Sequence, residues 1–259
     1  LDFDPLAPFP KTNPEEVSYE EVKAHSRAVD FWLGFNLEAV EAEIRVGPAL
    51  GIRDQGEYWL RKPVETFMTP YWDLDHMLRE ASIGGGDLVI DLGAGYARLL
   101  FVLALRYPGV SFIGVEKIEA RLVEARRVLC ENSLFCDLPA DSYLLLAADL
   151  QDVEIANLPH PSFSNLSSST VQTSSPFSPV VRGQSQVADR TRTHFFIYDF
   201  GSRQDIQTTL VQLQRLALKQ EIVVIARGGR SREIIERNHS WLCRVHAPRH
   251  FSRFSIYRS

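Results

Sequence analysis

The chain has 259 residues, 45% of them hydrophobic, with a formal net charge of −5. That length and apolar content suffice for one domain with a substantial core plus an appendage and exclude general disorder, while the acidic balance argues against broad electrostatic binding of nucleic acid. Cys130, Cys136 and Cys243 lack metal-like spacing and leave an odd thiol, which fits a reducing, cytoplasmic setting without a metal centre.

Residues 1–14 are proline-rich and read as an extended arm. They lack a basic-then-apolar signal pattern, although a start at Leu1 rather than Met leaves room for a removed segment. No run in the chain is long enough to span a bilayer. Ser18 followed by Glu21 is a capping-box pattern, and Val22, Val29, Trp32, Leu33, Leu37, Val40 and Ile44 then recur at helical spacing, which predicts one amphipathic helix over residues 19–45. Such a helix either forms a lid over a site or covers one edge of a sheet. Residues 57–82 break at Pro70 and resume as a helix from about residue 72, with Leu74, Met77, Leu78 and Ala81 on one face.

The densest signal is DLVIDLGAGYARLLFVLALRYPGVSFIGVE, residues 87–116, which reads as strand, glycine turn, helix, strand. Residues 88–90 form an apolar run suited to a doubly covered parallel strand, and Asp91 stands where it runs out at the carboxyl edge, where a ligand is expected. Gly93 and Gly95 let the backbone turn sharply and approach a ligand closely. The second strand, 110–115, ends in Glu116, where the hydroxyls of a ribose need an acceptor. A dinucleotide fingerprint wants a small residue three positions after Gly95, but Arg98 stands there. An acid two residues before the first glycine repels a pyrophosphate and suits a ligand carrying an ammonium group, such as S-adenosylmethionine.

A helix over 120–129 and a strand over 143–147 follow, then Asp149 and Leu150. From 160 to 193 the chain turns rich in Ser, Thr, Pro and Gln, which buries too little to offset its ordering entropy, and reads as an insertion of about thirty residues that is either a substrate-binding loop or simply tolerated. HFFIYDF, 194–200, restores a buried strand ending in Asp199 and Phe200. A helix (205–219), a strand (221–226), a short helix (231–238) and two strands (241–246 and 254–257) complete the pattern.

DLGAGYAR and GVEK closely resemble the first two motifs of class I, seven-strand S-adenosylmethionine-dependent methyltransferases. The antiparallel pair expected at the carboxyl end resembles the same fold. TPYWDLDHMLREA before GGGDLVIDLGAG is similar, more narrowly, to the seven-strand protein-lysine methyltransferases, in which such a phrase closes over the cofactor. The resemblance implies an α/β, doubly wound, mostly parallel seven-stranded sheet with a C-terminal antiparallel hairpin (residues 69–259) and an N-terminal helical appendage (residues 1–68). It implies S-adenosylmethionine as cofactor, held by Thr69, Tyr71, Asp91, Gly93, Ala94, Gly95, Glu116, Lys117, Asp149, Leu150, Asp199 and Phe200.

By position in that family, Asp199 faces the transferred methyl and Tyr71 is a candidate wall, although Tyr71 and Trp72 also read as ordinary core aromatics. The expected acceptor is a protein lysine. RNA, a small molecule, or a binding module that has lost catalysis are the rival readings, the last because Tyr96, Ala97 and Arg98 crowd the turn. DFGS at 199–202 departs from both the Asn-Pro-Pro-aromatic phrase of amide and adenine methylation and the usual protein-lysine pattern. The basic residues Arg244, His246, Arg249, His250, Arg253 and Arg258 read as a solvated strand face in a chain this acidic rather than a nucleic-acid surface.

Overall fold

The computed structural model describes residues 3–46, 64–159 and 192–259, and the elements below are numbered among these. The Ser-rich insertion lies almost wholly outside the described residues. A seven-stranded sheet runs β3-β2-β1-β4-β5-β7-β6. Its members are β1 (Leu88–Leu92), β2 (Ser111–Glu116), β3 (Tyr143–Ala147), β4 (Thr193–Tyr198), β5 (Ile222–Arg227), β6 (Arg249–His250) and β7 (Phe254–Arg258). The first five are parallel, and β7 runs antiparallel to both β5 and β6.

Helices cover both faces, so alternate residues of each strand enter different cores. Val89, Phe112, Leu145 and Phe196 meet the side built from α1 (Tyr19–Leu33), α3 (Tyr71–Ala81), α4 (Arg98–Arg106) and α5 (Glu119–Glu131). Ile90, Ile113, Phe195 and Val224 meet α6 (Arg203–Ala217) and α7 (Gly229–Asn238). This double coverage is why the central strands read as continuous apolar runs and not as alternating ones.

The single helix expected over 19–45 is two helices, α1 and α2 (Leu37–Val46). Ser18 and Glu21 form the expected capping box, but at Gly34 the backbone turns left-handed (φ 85°) and its N–H closes on Asp30 and Phe31. A residue without Cβ takes that conformation at no steric cost, so the apolar stripe continues around a corner. The break matters because α1 then packs on α3 while α2 packs on α5.

The carboxyl end also differs from its expected form. Residues 241–246 do not form a strand; Ser240–Leu242 is a short 3-10 turn closed by the Leu242 N–H on the His239 carbonyl at 3.0 Å. Leu242 is instead buried against the α6 and α7 side of the core. Pairing with β7 falls to the two residues after Pro248.

Candidate active site

All five parallel strands end at one edge, and chain order reverses there between β1 and β4, the place where an open α/β sheet leaves a crevice. A cavity of about 790 Å³ fills it. Of the residues expected at the site, Thr69, Asp91, Gly93, Ala94, Gly95, Glu116, Lys117, Asp149, Leu150, Asp199 and Phe200 line this cavity. Tyr71 does not. It is fully buried behind the wall, with its hydroxyl donating to Asp30 Oδ1 at 3.0 Å and its N–H to Ser26 Oγ at 3.1 Å, so the site expected of it is replaced by a place in the core.

Gly93 and Gly95 have positive φ (95° and 55°), and the Gly93 and Ala94 N–H groups both donate to the Val115 carbonyl at 2.9 Å. The turn is thereby stitched to the end of β2. Glu116 completes the stitch: Oε2 accepts from the Gly95 N–H and Oε1 from the Ile118 N–H, each at 2.9 Å. Each oxygen keeps a further lone pair for a ligand hydroxyl.

Asp91 is half-buried at the cavity floor and makes no hydrogen bond or ion pair among the described residues. Burial first, and then the neighbouring Glu116 carboxylate, push its pKa up to about 7. An unpaired, desolvated acid of this kind is the complement of an ammonium group. On the far side of β2, Lys117 Nζ pairs with Asp149 Oδ2 at 2.7 Å, and Asp149 Oδ1 accepts from the Gln151 N–H at 3.1 Å.

Asp199 lines the cavity, but its carboxylate is turned to the first turn of α7. Oδ1 accepts from the Ser231 N–H and hydroxyl at 2.7 and 2.8 Å, and Oδ2 from the Arg230 N–H at 3.1 Å. Gly228 (φ 99°) makes this possible, since a Cβ there would stand 2.4 Å from Asp199 Cγ. Both carboxylate oxygens are thus engaged by α7, whereas the sequence places Asp199 facing the transferred methyl.

Three arginines missing from the sequence expectation also line the cavity: Arg98, Arg121 and Arg227. The N-terminal helices hold two of them. Arg98, on the position where a dinucleotide site wants a small residue, sends Nε to Asp30 Oδ1 at 3.2 Å and Nη2 to Asp30 Oδ2. Arg121 donates from Nε to Glu41 Oε1 at 2.8 Å and lies 3.9 Å from Glu116, while the Tyr96 hydroxyl shares Glu41 Oε1 at 2.9 Å. The N-terminal helices therefore brace the cavity wall from behind. Arg227 was legible by the rule that singled out Asp91, Glu116 and Asp199, because it too is a polar residue at the end of a buried strand.

No family model and no curated protein matches this chain. Similar solved structures include an RNA methyltransferase from Salinibacter ruber in complex with S-adenosyl-L-homocysteine, 16% identical over 74% of this chain and 91% of that one, TM-score 0.40. A putative RNA methyltransferase from Pyrococcus horikoshii is 16% identical over 85% and 94%, TM-score 0.41. A ribosomal protein L11 methylase from Lactobacillus delbrueckii subsp. bulgaricus is 10% identical over 71% and 75%, TM-score 0.39. The sheet itself, with five parallel strands reversing between β1 and β4 and an antiparallel seventh strand inserted beside β5, has the topology of the class I methyltransferase fold. Among the described residues no helix is long and apolar enough to cross a membrane, and no group of three or more His, Cys, Asp or Glu side chains could hold a metal ion.

Proposed function

We propose that the chain is an S-adenosylmethionine-dependent methyltransferase acting on RNA or a small molecule. The observation that carries the cofactor is the unpaired Asp91 beside Glu116 in one cavity: an acid for an ammonium and an acid for a ribose diol, on adjacent strand ends. When bound, the sulfonium supplies a methyl group already activated for in-line displacement. The chain's share is then to bind, align and exclude water, and no covalent nucleophile is required of it.

Two features of the acceptor end, where β4 and β5 finish, weigh against the protein lysine expected from the threonine-proline-aromatic phrase. Asp199 turns both carboxylate oxygens to the first turn of α7, and the buried Arg227 guanidinium repels an ammonium. A neutral or anionic acceptor suits this end better. The test is incubation with radiolabelled S-adenosylmethionine and cell extract, followed by protease, nuclease and size filtration. Label lost to nuclease or passing the filter is the expected result, and label released only by protease overturns the acceptor reading.

For the cofactor, Glu116→Gln is expected to weaken S-adenosylhomocysteine binding about ten- to a hundredfold by calorimetry, the worth of one charged hydrogen-bonding partner. Unchanged affinity in a folded variant removes Glu116 from the site.

A further inference from the structure

Arg227 closes β5, in register with Tyr198 on one side and Phe254 on the other, at the end of the cavity away from Asp91 and Glu116 in the sheet order. Only 8% of it is exposed, and it lines the cavity. Its Nη2 donates to Asp73 Oδ2 at 2.9 Å and reaches the Tyr19 hydroxyl at 3.3 Å. The other oxygen of Asp73 is taken by Arg253 Nη1 at 2.8 Å. One carboxylate thus serves two guanidinium groups, and the three together carry one net positive charge. Nη1 of Arg227 has no hydrogen-bond partner among the described residues, and the Tyr198 ring lies 5.3 Å from the guanidinium carbon.

A buried guanidinium N–H without an acceptor is costly, and charge-assisted partners for it are oxyanions. The acid that follows Tyr198, Asp199, is turned to α7. Resting on the methyltransferase reading, we propose that Arg227 is the specificity-determining residue of the acceptor site and that it binds a carboxylate or phosphate carried by a small-molecule acceptor. The depth of the side chain favours a small molecule over a polymer, because a nucleic-acid backbone lies on the surface of a site, whereas Arg227 is more than nine-tenths buried. Asp73 and Arg253 act as positioning residues, fixing the plane of the guanidinium through one shared carboxylate.

The test uses the full chain saturated with S-adenosylhomocysteine, titrated with acetate, with inorganic phosphate and with a short mixed-sequence RNA at constant ionic strength. Acetate or phosphate is expected to bind, and Arg227→Gln to weaken that binding roughly tenfold or more; the stronger of the two ions assigns carboxylate or phosphate. If Arg227→Gln fails to fold, the Arg227 side-chain nitrogen resonances of the wild-type chain, assigned by their absence from Arg227→Lys, are expected to shift on titration. Binding that survives Arg227→Gln, resonances that stay still, neither ion binding, or Arg227-dependent binding of the RNA alone each overturn the proposal. Failure of S-adenosylhomocysteine to bind the wild-type chain is a separate outcome, since it sinks the methyltransferase reading while the ion titrations on the unliganded chain still report on Arg227.

Discussion

S-adenosylhomocysteine is expected to bind about 25-fold more tightly at about pH 7.5 than at about pH 5.5, the increase following ionisation of Asp91. In the unliganded chain this carboxyl has a pKa of about 7, raised by burial and by Glu116. A ligand ammonium binds only the ionised form, so each unit of pH below 7 costs about tenfold in affinity and binding releases a proton. At still higher pH the ligand's own α-amino group loses its charge and the gain reverses. Calorimetry in two buffers of different ionisation heat counts the proton directly. Asp91→Asn is expected to flatten this profile and to cost about 2–5 kcal/mol, or roughly thirty- to several thousandfold in affinity.

Stability of the unliganded chain runs the other way. Because the folded pKa of Asp91 lies above the unfolded value of about 3.9, the contribution of this group is present at low pH and is lost as pH rises through about 7. Asp91→Asn is therefore expected to melt higher than wild type at neutral pH while binding cofactor worse, a site maintained at the expense of stability. A pH-independent affinity together with an unchanged melting temperature would show that Asp91 faces no ligand charge.

The parts of this site that were legible from sequence are those in which one residue type does one local job. Gly93, Gly95, Asp91 and Glu116 declare themselves because a turn needs positive φ and a strand end needs a polar residue, both within thirty residues of chain. The mostly parallel seven-stranded sheet with its antiparallel carboxyl end was expected through the resemblance of these motifs to the class I methyltransferases. Partnerships across long sequence separations were not legible. Asp199 looks the same in sequence whether it faces a ligand or caps α7, and only the approach of Gly228 and Ser231 decides it. Tyr71 sits beside Thr69, yet one points to the cavity's back wall and the other lines it. Arg98 reads as a defect in a glycine fingerprint until Asp30, 68 residues earlier, is seen to receive it.

That last pair carries the largest expected effect on stability. Asp30→Ala is expected to destabilise the chain by about 3–5 kcal/mol, because it leaves a guanidinium buried without its counter-ion. Arg98 is 7% exposed, and without Asp30 its partners among the described residues reduce to the Thr69 carbonyl at 3.3 Å and the face of Tyr71, whose hydroxyl loses its own acceptor in the same step. For a domain of this size the change corresponds to a fall of about 6–20 °C in melting temperature. Removing both charges tells desolvation from attraction: Asp30→Leu combined with Arg98→Leu is expected to recover most of the loss, since a well-packed apolar pair can replace a buried ion pair at little cost. Denaturant titration of the single and double variants measures this. A loss below about 1 kcal/mol in Asp30→Ala would mean that water reaches Arg98 and that the pair behaves as an exposed salt bridge, in which case α1 is an added cover and not a brace of the cavity wall.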